Sequence, residues 1–253
     1  MSLAKKVFLV AGVGSGLGTA LVSLLAADGA TVVGVARSLK ALEPIQAHAR
    51  TRGWQVAART ANFQDQSEVD RVVRSVLDEF GQIHGVSINV GHWDGGGTLL
   101  HQMSDEAWSA GIRENLDPVY RVGRATLPHF MERKGGSLVV VSAAPAVRWS
   151  GSSSYCAAKG GLADLVPMLA RDYRSYGIRV NGVLPGAMGN QLQGLDPPAA
   201  GSPMSLRDSP PNAPWEVARV IRYLLSDESR WVTGSLYQVD GGLSAGGAEP
   251  PGA

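Results

Sequence analysis

The stretch 7–25 restricts the folds open to this chain more than any other. Val7–Ala11 is a short β-rich run that opens directly into Gly12, Gly14, Gly16 and Gly18, after which Leu17, Leu21, Leu24 and Leu25 recur at helical spacing. Strand, glycine loop, helix is the order a nucleotide site needs. Glycines let the backbone approach a pyrophosphate closely, and the helix N-terminus presents free N–H groups and the positive end of a dipole to it. The spacing departs from G-x-G-x-x-G, because position 17 is leucine and the last glycine comes one residue later.

The rest of the chain repeats the alternation. Further β-rich runs are expected at Thr31–Ala36, 54–60, 85–90, 136–142, 177–184 and 235–239. Helical patterns are expected at 68–80, 104–131, from Ser152 onward, and at 215–226. In 68–80 the residues Val69, Val72, Val73, Val76, Leu77 and Phe80 form one apolar stripe. Leu138, Val139, Val140 and Val141 read as a strand buried on both faces, as in the middle of a parallel sheet. Each strand but the last is followed by a helical segment or a crossover. The pattern predicts an α/β chain with a doubly wound parallel sheet of about seven strands and helices on both faces.

With 253 residues and no internal repeat, one domain is expected over 1–243. Within it, 190–214 breaks the pattern with Pro197, Pro198, Pro203, Pro210, Pro211 and Pro214, and reads as a loop or lid. Residues 244–253 read as a disordered Gly/Pro-rich tail. Charged residues are 18% of the chain, apolar ones 44%, and the net charge is +1, which suggests neither disorder nor a nucleic-acid surface. One cysteine, Cys156, leaves no intramolecular disulfide and no thiolate cluster, and the five histidines lack metal-ligand spacing, so no metal is expected. The opening residues lead into the glycine loop without a small-residue cleavage site, and no run approaches the ~20 apolar residues of a membrane span. A cytoplasmic protein with no membrane partner is expected.

The densest chemistry lies in 142–159. Ser142 closes an apolar run, and Tyr155 and Lys159 follow four residues apart, so on a helix they share one face. Tyrosine is a poor base at neutral pH, but a nearby positive charge favours the phenolate, which makes the pair a candidate proton donor and acceptor.

Ser142, Tyr155 and Lys159, with the serine thirteen residues before the tyrosine, resemble the catalytic set of the short-chain dehydrogenases/reductases. Gly12-x-x-x-Gly16-x-Gly18 resembles that family's cofactor loop. Asn89-Val90-Gly91, Asn115, Pro185-Gly186 and Val239-Asp240-Gly241-Gly242 fall in its order and at its spacing. The resemblance runs from Lys5 to about Leu243 and implies a single Rossmann-like domain. It also implies roles. Ser142 would hydrogen-bond the substrate oxygen, Tyr155 would transfer the proton, Lys159 would lower the Tyr155 pKa and bind the nicotinamide ribose, and Asn115 would complete a water relay. Cofactor contacts are expected from Gly12, Gly14, Ser15, Gly16, Leu17, Gly18, Arg37, Ser38, Asn62, Phe63, Asn89, Val90, Gly91, Tyr155, Lys159, Pro185, Gly186 and Met188. Substrate contacts are expected from Trp93, Ser142, Trp149, Tyr155 and Leu192.

Arg37 follows the second strand, where an acid would bond the ribose 2′-hydroxyl of NAD and a base accommodates the 2′-phosphate of NADP, so NADP(H) is the expected cofactor. Departures from the family pattern fall at Ala11, Asn62, Ile88 and Asn190, with Ser15 where some NADP-using relatives carry a basic residue. The implied activity is NADP(H)-dependent interconversion of a small-molecule ketone or aldehyde and its alcohol, with 3-oxoacyl thioesters as the nearest general type of substrate. A homotetramer is implied by the family. Two other readings remain open at this stage: a regulator that kept the fold and the nucleotide, or an epimerase or dehydratase using the same tyrosine and lysine.

Overall fold

The computed structural model describes residues 3–188, 192, 194–199 and 214–245. Seven strands form one sheet: β1 (Val7–Ala11), β2 (Thr31–Ala36), β3 (Val56–Thr60), β4 (Gly85–Ile88), β5 (Gly136–Val141), β6 (Ile178–Pro185) and β7 (Leu236–Val239). The sheet order is β3-β2-β1-β4-β5-β6-β7 and every neighbouring pair is parallel. Parallel pairing needs crossovers, and these are α1 (Leu17–Ala27), α2 (Glu43–Arg52), α3 (Gln66–Phe80), α4 (Asp105–Asn115), α5 (Asp117–Arg133), α6 (Pro145–Ser150), α7 (Ser153–Tyr173) and α8 (Pro214–Leu225). The sheet order reverses between β1 and β4. Open α/β sheets bind ligands at that crevice, beyond the carboxyl ends of the strands.

Period-two alternation divides the apolar residues between two cores. Val7, Leu9 and Ala11 of β1 join Val72 and Val76 of α3, Phe130 of α5 and Leu162 of α7 on one face. Phe8 and Val10 join Leu21 and Leu25 of α1 and Ile221 and Leu224 of α8 on the other. Both faces of β5 are covered in the same way, Leu138 and Val140 to the first core and Val139 and Val141 to the second. Truncating a core ring such as Phe130, which is wholly buried, costs about 3–5 kcal/mol.

Local signals fix the helix ends near the site. The Ser152 hydroxyl accepts from the Tyr155 N–H at 3.1 Å and so starts α7. The expected helix over 104–131 is two helices that part at Leu116, where Pro118 in the next turn lacks an N–H and disfavours a straight continuation.

Several boundaries differ from the sequence pattern. β4 ends at Ile88, two residues early, and β3 begins at Val56, with Trp54 outside the strand and edge-on to His48, ring centroids 5.3 Å apart. The short helix α6 lies inside what reads as an irregular link, since six residues give too few turns for a period. The tail begins later than Ser244: the Ser244 N–H donates to Asp240 Oδ2 at 2.8 Å and its hydroxyl accepts from Ala146 N at 3.1 Å. Residues 246–253 lie outside the described ones. No described helix is long and apolar enough to cross a membrane.

Candidate active site

Four polar side chains are gathered at the carboxyl end of β5, each no more than 6% exposed: Ser142, Tyr155, Lys159 and Asn115. Ser142 is the first residue beyond the strand, and its hydroxyl donates to the Lys159 carbonyl at 2.5 Å, stitching the strand end to α7. Tyr155 stands in the first turn of α7 and Lys159 one turn on, with Lys159 Nζ donating to the Val141 carbonyl at 3.3 Å. Asn115 closes α4. Its Nδ2 donates to the carbonyls of His92 and Gly111, each at 3.0 Å, and its Oδ1 accepts from His92 N at 2.9 Å. The end of α4 is therefore tied by that side chain to the chain leaving β4.

Glycines make this crowding possible. A Cβ on Gly91 would lie 2.6 Å from Lys159 Nζ and 2.9 Å from Asn115 Oδ1, so only glycine leaves room for both groups. On α4, a Cβ at Gly111 would fall on the Ser154 side chain, and its absence lets α7 approach closely beside Tyr155.

The glycine corner lies at the β1/β4 crevice. Gly12 has φ +93°, and a Cβ there would lie 2.9 Å from the Val90 nitrogen; one on Gly18 would fall on the Gly12 carbonyl. Thr19 donates its hydroxyl to the Gly14 carbonyl at 2.6 Å, holding the loop that carries Ser15 and Gly16 into the first residue of α1, Leu17. Nothing lies near the Cβ position of Gly14. Asn89 accepts from the Ser87 hydroxyl at 2.7 Å, while its Nδ2 is buried with no hydrogen-bond partner among the described residues. A buried amide without a partner is costly, and one at this corner suits a ligand acceptor. Arg37 is exposed just beyond β2 and makes no ion pair among the described residues, and Ser38 begins a short 3-10 turn.

Similar chains agree with this geometry. Residues 12–244 match the family model described as Enoyl-(Acyl carrier protein) reductase. The 3-oxoacyl-(acyl-carrier-protein) reductase FabG of Thermotoga maritima is 33% identical over 247 residues, covering 96% of this chain and 99% of that one. Its counterpart in Escherichia coli is 30% identical over 246 residues, with the same coverage of both. The crystal structure of a 3-ketoacyl-ACP reductase from Sinorhizobium meliloti 1021 superposes with a TM-score of 0.83 at 30% identity, over 94% of this chain and 99% of that one.

The chain belongs to the short-chain dehydrogenases/reductases. It is an oxidoreductase of that family, and the Rossmann-like sheet expected from the sequence is the one found.

In this short-chain dehydrogenase/reductase the buried pair is tuned by burial first. Desolvation raises the Tyr155 phenol to about 12, with the Asp94 carboxylate adding to the rise, and desolvation pushes Lys159 down to about 8. Burial and the Asp94 carboxylate, rather than Lys159, set the direction of the tyrosine's shift here. The ammonium is turned to the Val141 carbonyl and the gap left by Gly91, so burial of the phenol dominates.

Other expected residues fall in varied places. Asn62 spends its Oδ1 on the Gln64 N–H at 3.1 Å and its own N–H on Glu68 at 2.9 Å, leaving its Nδ2 outward. The Phe63 side chain is buried in the core beneath α3, so only its backbone faces the corner. Pro185 ends β6, and the Gly186 N–H donates to the Val239 carbonyl at 2.9 Å. Met188 and Leu192 pack against the core shared by α1 and α8, and the Leu192 N–H donates to the Ser15 carbonyl at 3.3 Å. The structure thus brings Leu192 to the glycine loop. Trp93 has its indole near Gly151 in a site 53% exposed, and Trp149 on α6 is 74% exposed.

Sequence reasoning passed over two acids on the rim. Asp94 Oδ1 accepts from Ser152 N and from Gly96 N, each at 3.3 Å. Asp196 holds residues 194–199 to α2: its carboxylate accepts from Arg52 Nε at 2.8 Å, pairs with Arg52 Nη2, and lies 2.9 Å from His48 Nε2. Arg219 adds a bond to the Pro198 carbonyl at 2.8 Å. The rest of the expected lid, including Asn190 and 200–213, lies outside the described residues. The one signal for Asp94 was the Gly95-Gly96-Gly97 run behind it. No period marks Asp196.

Proposed function

We propose that the protein reduces a ketone or aldehyde to an alcohol with NADPH, Tyr155 delivering the proton. The observation that carries this reading is the convergence of Ser142, Tyr155 and Lys159 at one strand end beside the glycine corner. The residues fit the dinucleotide: Gly12 and Gly18 leave a cradle that a Cβ would fill, Gly14 is open, and the buried Asn89 amide waits for an acceptor. Arg37 would hold the 2′-phosphate, with Ser38 beside it, and Lys159 would hold the nicotinamide ribose. When bound, the cofactor supplies the hydride chemistry.

The protein's own work is with the proton. Tyr155 keeps its proton across the neutral range because burial raises its pKa, so at physiological pH the site presents an acid and suits carbonyl reduction. Ser142, one residue from the sheet, would rotate its hydroxyl from the Lys159 carbonyl toward the substrate oxygen. Trp93 and Trp149 would line the entrance as exposed aromatic surfaces for an apolar substrate. The named relatives are 3-oxoacyl reductases, which makes a 3-oxoacyl thioester the first substrate to try, and assembly as a homotetramer belongs to the same reading.

The matched family model is described as an enoyl reductase, so a conjugated double bond is the alternative target. The test is NADPH consumption, followed optically, with matched 3-oxoacyl, simple ketone and enoyl substrates, repeated with NADH. Turnover of the ketones and not of the enoyl thioester is expected; the reverse selects the alternative. No consumption with any of them favours a nucleotide-binding regulator. Arg37→Asp is expected to erase the preference for NADPH, since a charge-assisted phosphate contact contributes roughly 1.5–3 kcal/mol, about ten- to a hundredfold in affinity. Equal use of NADH and NADPH by the unmodified protein contradicts the cofactor assignment.

A further inference from the structure

The loop that leaves β4, residues 92–97, is seated on the start of α7 by features that belong to this chain. Gly95, Gly96 and Gly97 all have positive φ, at +84°, +67° and +86°, a conformation side-chain-bearing residues rarely adopt. A Cβ on Gly96 would fall on the Ser150 carbonyl, so the loop backbone lies directly against the end of α6. Between these glycines and the helix stands Asp94, whose Oδ1 accepts from Gly96 N inside the loop and from Ser152 N outside it. Ser152 is the residue that caps α7 and takes the Tyr155 N–H on its hydroxyl. At Gly151, a Cβ would lie 2.6 Å from the Tyr155 ring and 3.4 Å from the Trp93 indole nitrogen. Asp94 is thus bonded to the cap of the turn that carries Tyr155, and Trp93 and the Tyr155 ring both border Gly151. A carboxylate also suits this place electrically, because it faces the positive end of a 21-residue helix.

We propose that Asp94 is a positioning residue for proton transfer: its carboxylate clamps the Trp93 loop onto the first turn of α7 and keeps a negative charge beside the Tyr155 phenol. The inference rests on the reading of Tyr155 as the proton donor.

The surroundings of the phenol give this charge its influence. Lys159, on the same helix, is buried and turned to the Val141 carbonyl. Ser142 from β5 and Ser154 on α7 are neutral, and α4 presents Gly111. On α6, Arg148 reaches toward Gly160, the residue after Lys159, and the His92 ring on the loop is exposed. Hydrogen bonds from Ser152 and Gly96 outweigh the burial of Asp94 and hold its carboxyl below the ordinary range, so it stays charged wherever the enzyme works. That charge adds to burial in holding the phenol protonated. The consequence is a phenol biased toward its protonated form, the form that donates.

Asp94→Asn separates the two roles, since the amide oxygen can still accept from Ser152 N and Gly96 N while the charge is gone. The first readout needs no cofactor. Tyrosinate absorbance is titrated in the wild type and in Tyr155→Phe, and the difference isolates Tyr155; the same pair is made on the Asp94→Asn background. The Tyr155 component is expected to move to lower pH by about half a unit to one unit. The second readout is the pH profile of alcohol oxidation, whose rising limb should move the same way. Asp94→Ala, which also loses the clamp, should add a higher KM for the carbonyl substrate. A Tyr155 titration and an oxidation limb that coincide in wild type and Asp94→Asn overturn the inference, while near-normal turnover in Tyr155→Phe overturns the reading on which it stands.

Discussion

The floor and the rim of this site are built in opposite ways. On the floor, Ser142, Tyr155, Lys159 and Asn115 sit at a strand end, within α7 and at the close of α4, and all are buried. Short side-chain bonds to backbone groups and packed glycines hold them, and Gly91 leaves no slack beside Lys159. On the rim, Trp93 and Trp149 are exposed, and the chain is held by side-chain clamps from Asp94 and Asp196. Groups that must meet within tenths of an ångström are carried by regular structure, and groups that select a substrate are carried by segments free to vary.

Gly91→Ala should disturb the floor most. Its Cβ would contest the space of Lys159 Nζ and Asn115 Oδ1, and a displacement near 1 Å in such a site can reduce turnover about a hundredfold. Circular dichroism should show the fold retained while steady-state turnover collapses. An unchanged kcat would mean that the floor has slack.

Lys159→Met should show what the floor costs in stability. Burial pushes the Lys159 pKa down to about 8 from 10.5, so the folded state binds that proton less tightly than the unfolded chain. Below pH 8 both states carry the proton and the penalty is full; between about 8 and 10.5 the unfolded chain binds more, and stability rises with pH. Above 10 the raised pKa of Tyr155 acts in the opposite sense, which leaves about pH 8 to 9.5 as the clear window. At pH 7 the variant should melt higher than the wild type, by on the order of 2 kcal/mol, and should lose the rise above pH 8. A lower melting temperature at pH 7 would show the ammonium to be a net structural asset.

The smallest effect should come from the rim. Asp196→Ala releases an exposed ion pair of the kind that contributes about 0–1 kcal/mol. Global stability should barely change, while limited proteolysis within 194–199 accelerates and KM rises by no more than about fivefold. A large fall in kcat would place this clamp with the floor.

The same division explains what could be read from the chain. Parallel strands buried on both faces and a Tyr-x-x-x-Lys pair on one helical face are local patterns with a period or a fixed offset. The sheet, the glycine corner and the meeting of Ser142, Tyr155 and Lys159 at one strand end were legible for that reason. Asp94 was not, because its role depends on three successive left-handed glycines folding it back onto Ser152, 58 residues away in sequence. Asp196 meets Arg52 across 144 residues, and no local rule marks either partner. Spacing places a lysine near the Tyr155 phenol, but it does not show burial or the direction of the ammonium, and burial raises the phenol here.

The division of labour is tested most directly by kinetics on Tyr155→Phe and Trp93→Ala across one panel of ketones. Tyr155→Phe should bind NADPH as the wild type does and lose turnover by about 10²–10⁴ on every ketone, leaving their ranking unchanged, because only a general acid has been removed. Trp93→Ala should keep the kcat of the best ketone and reorder kcat/KM among the others. Near-normal turnover in Tyr155→Phe, or a uniform loss across the panel in Trp93→Ala, would contradict the account.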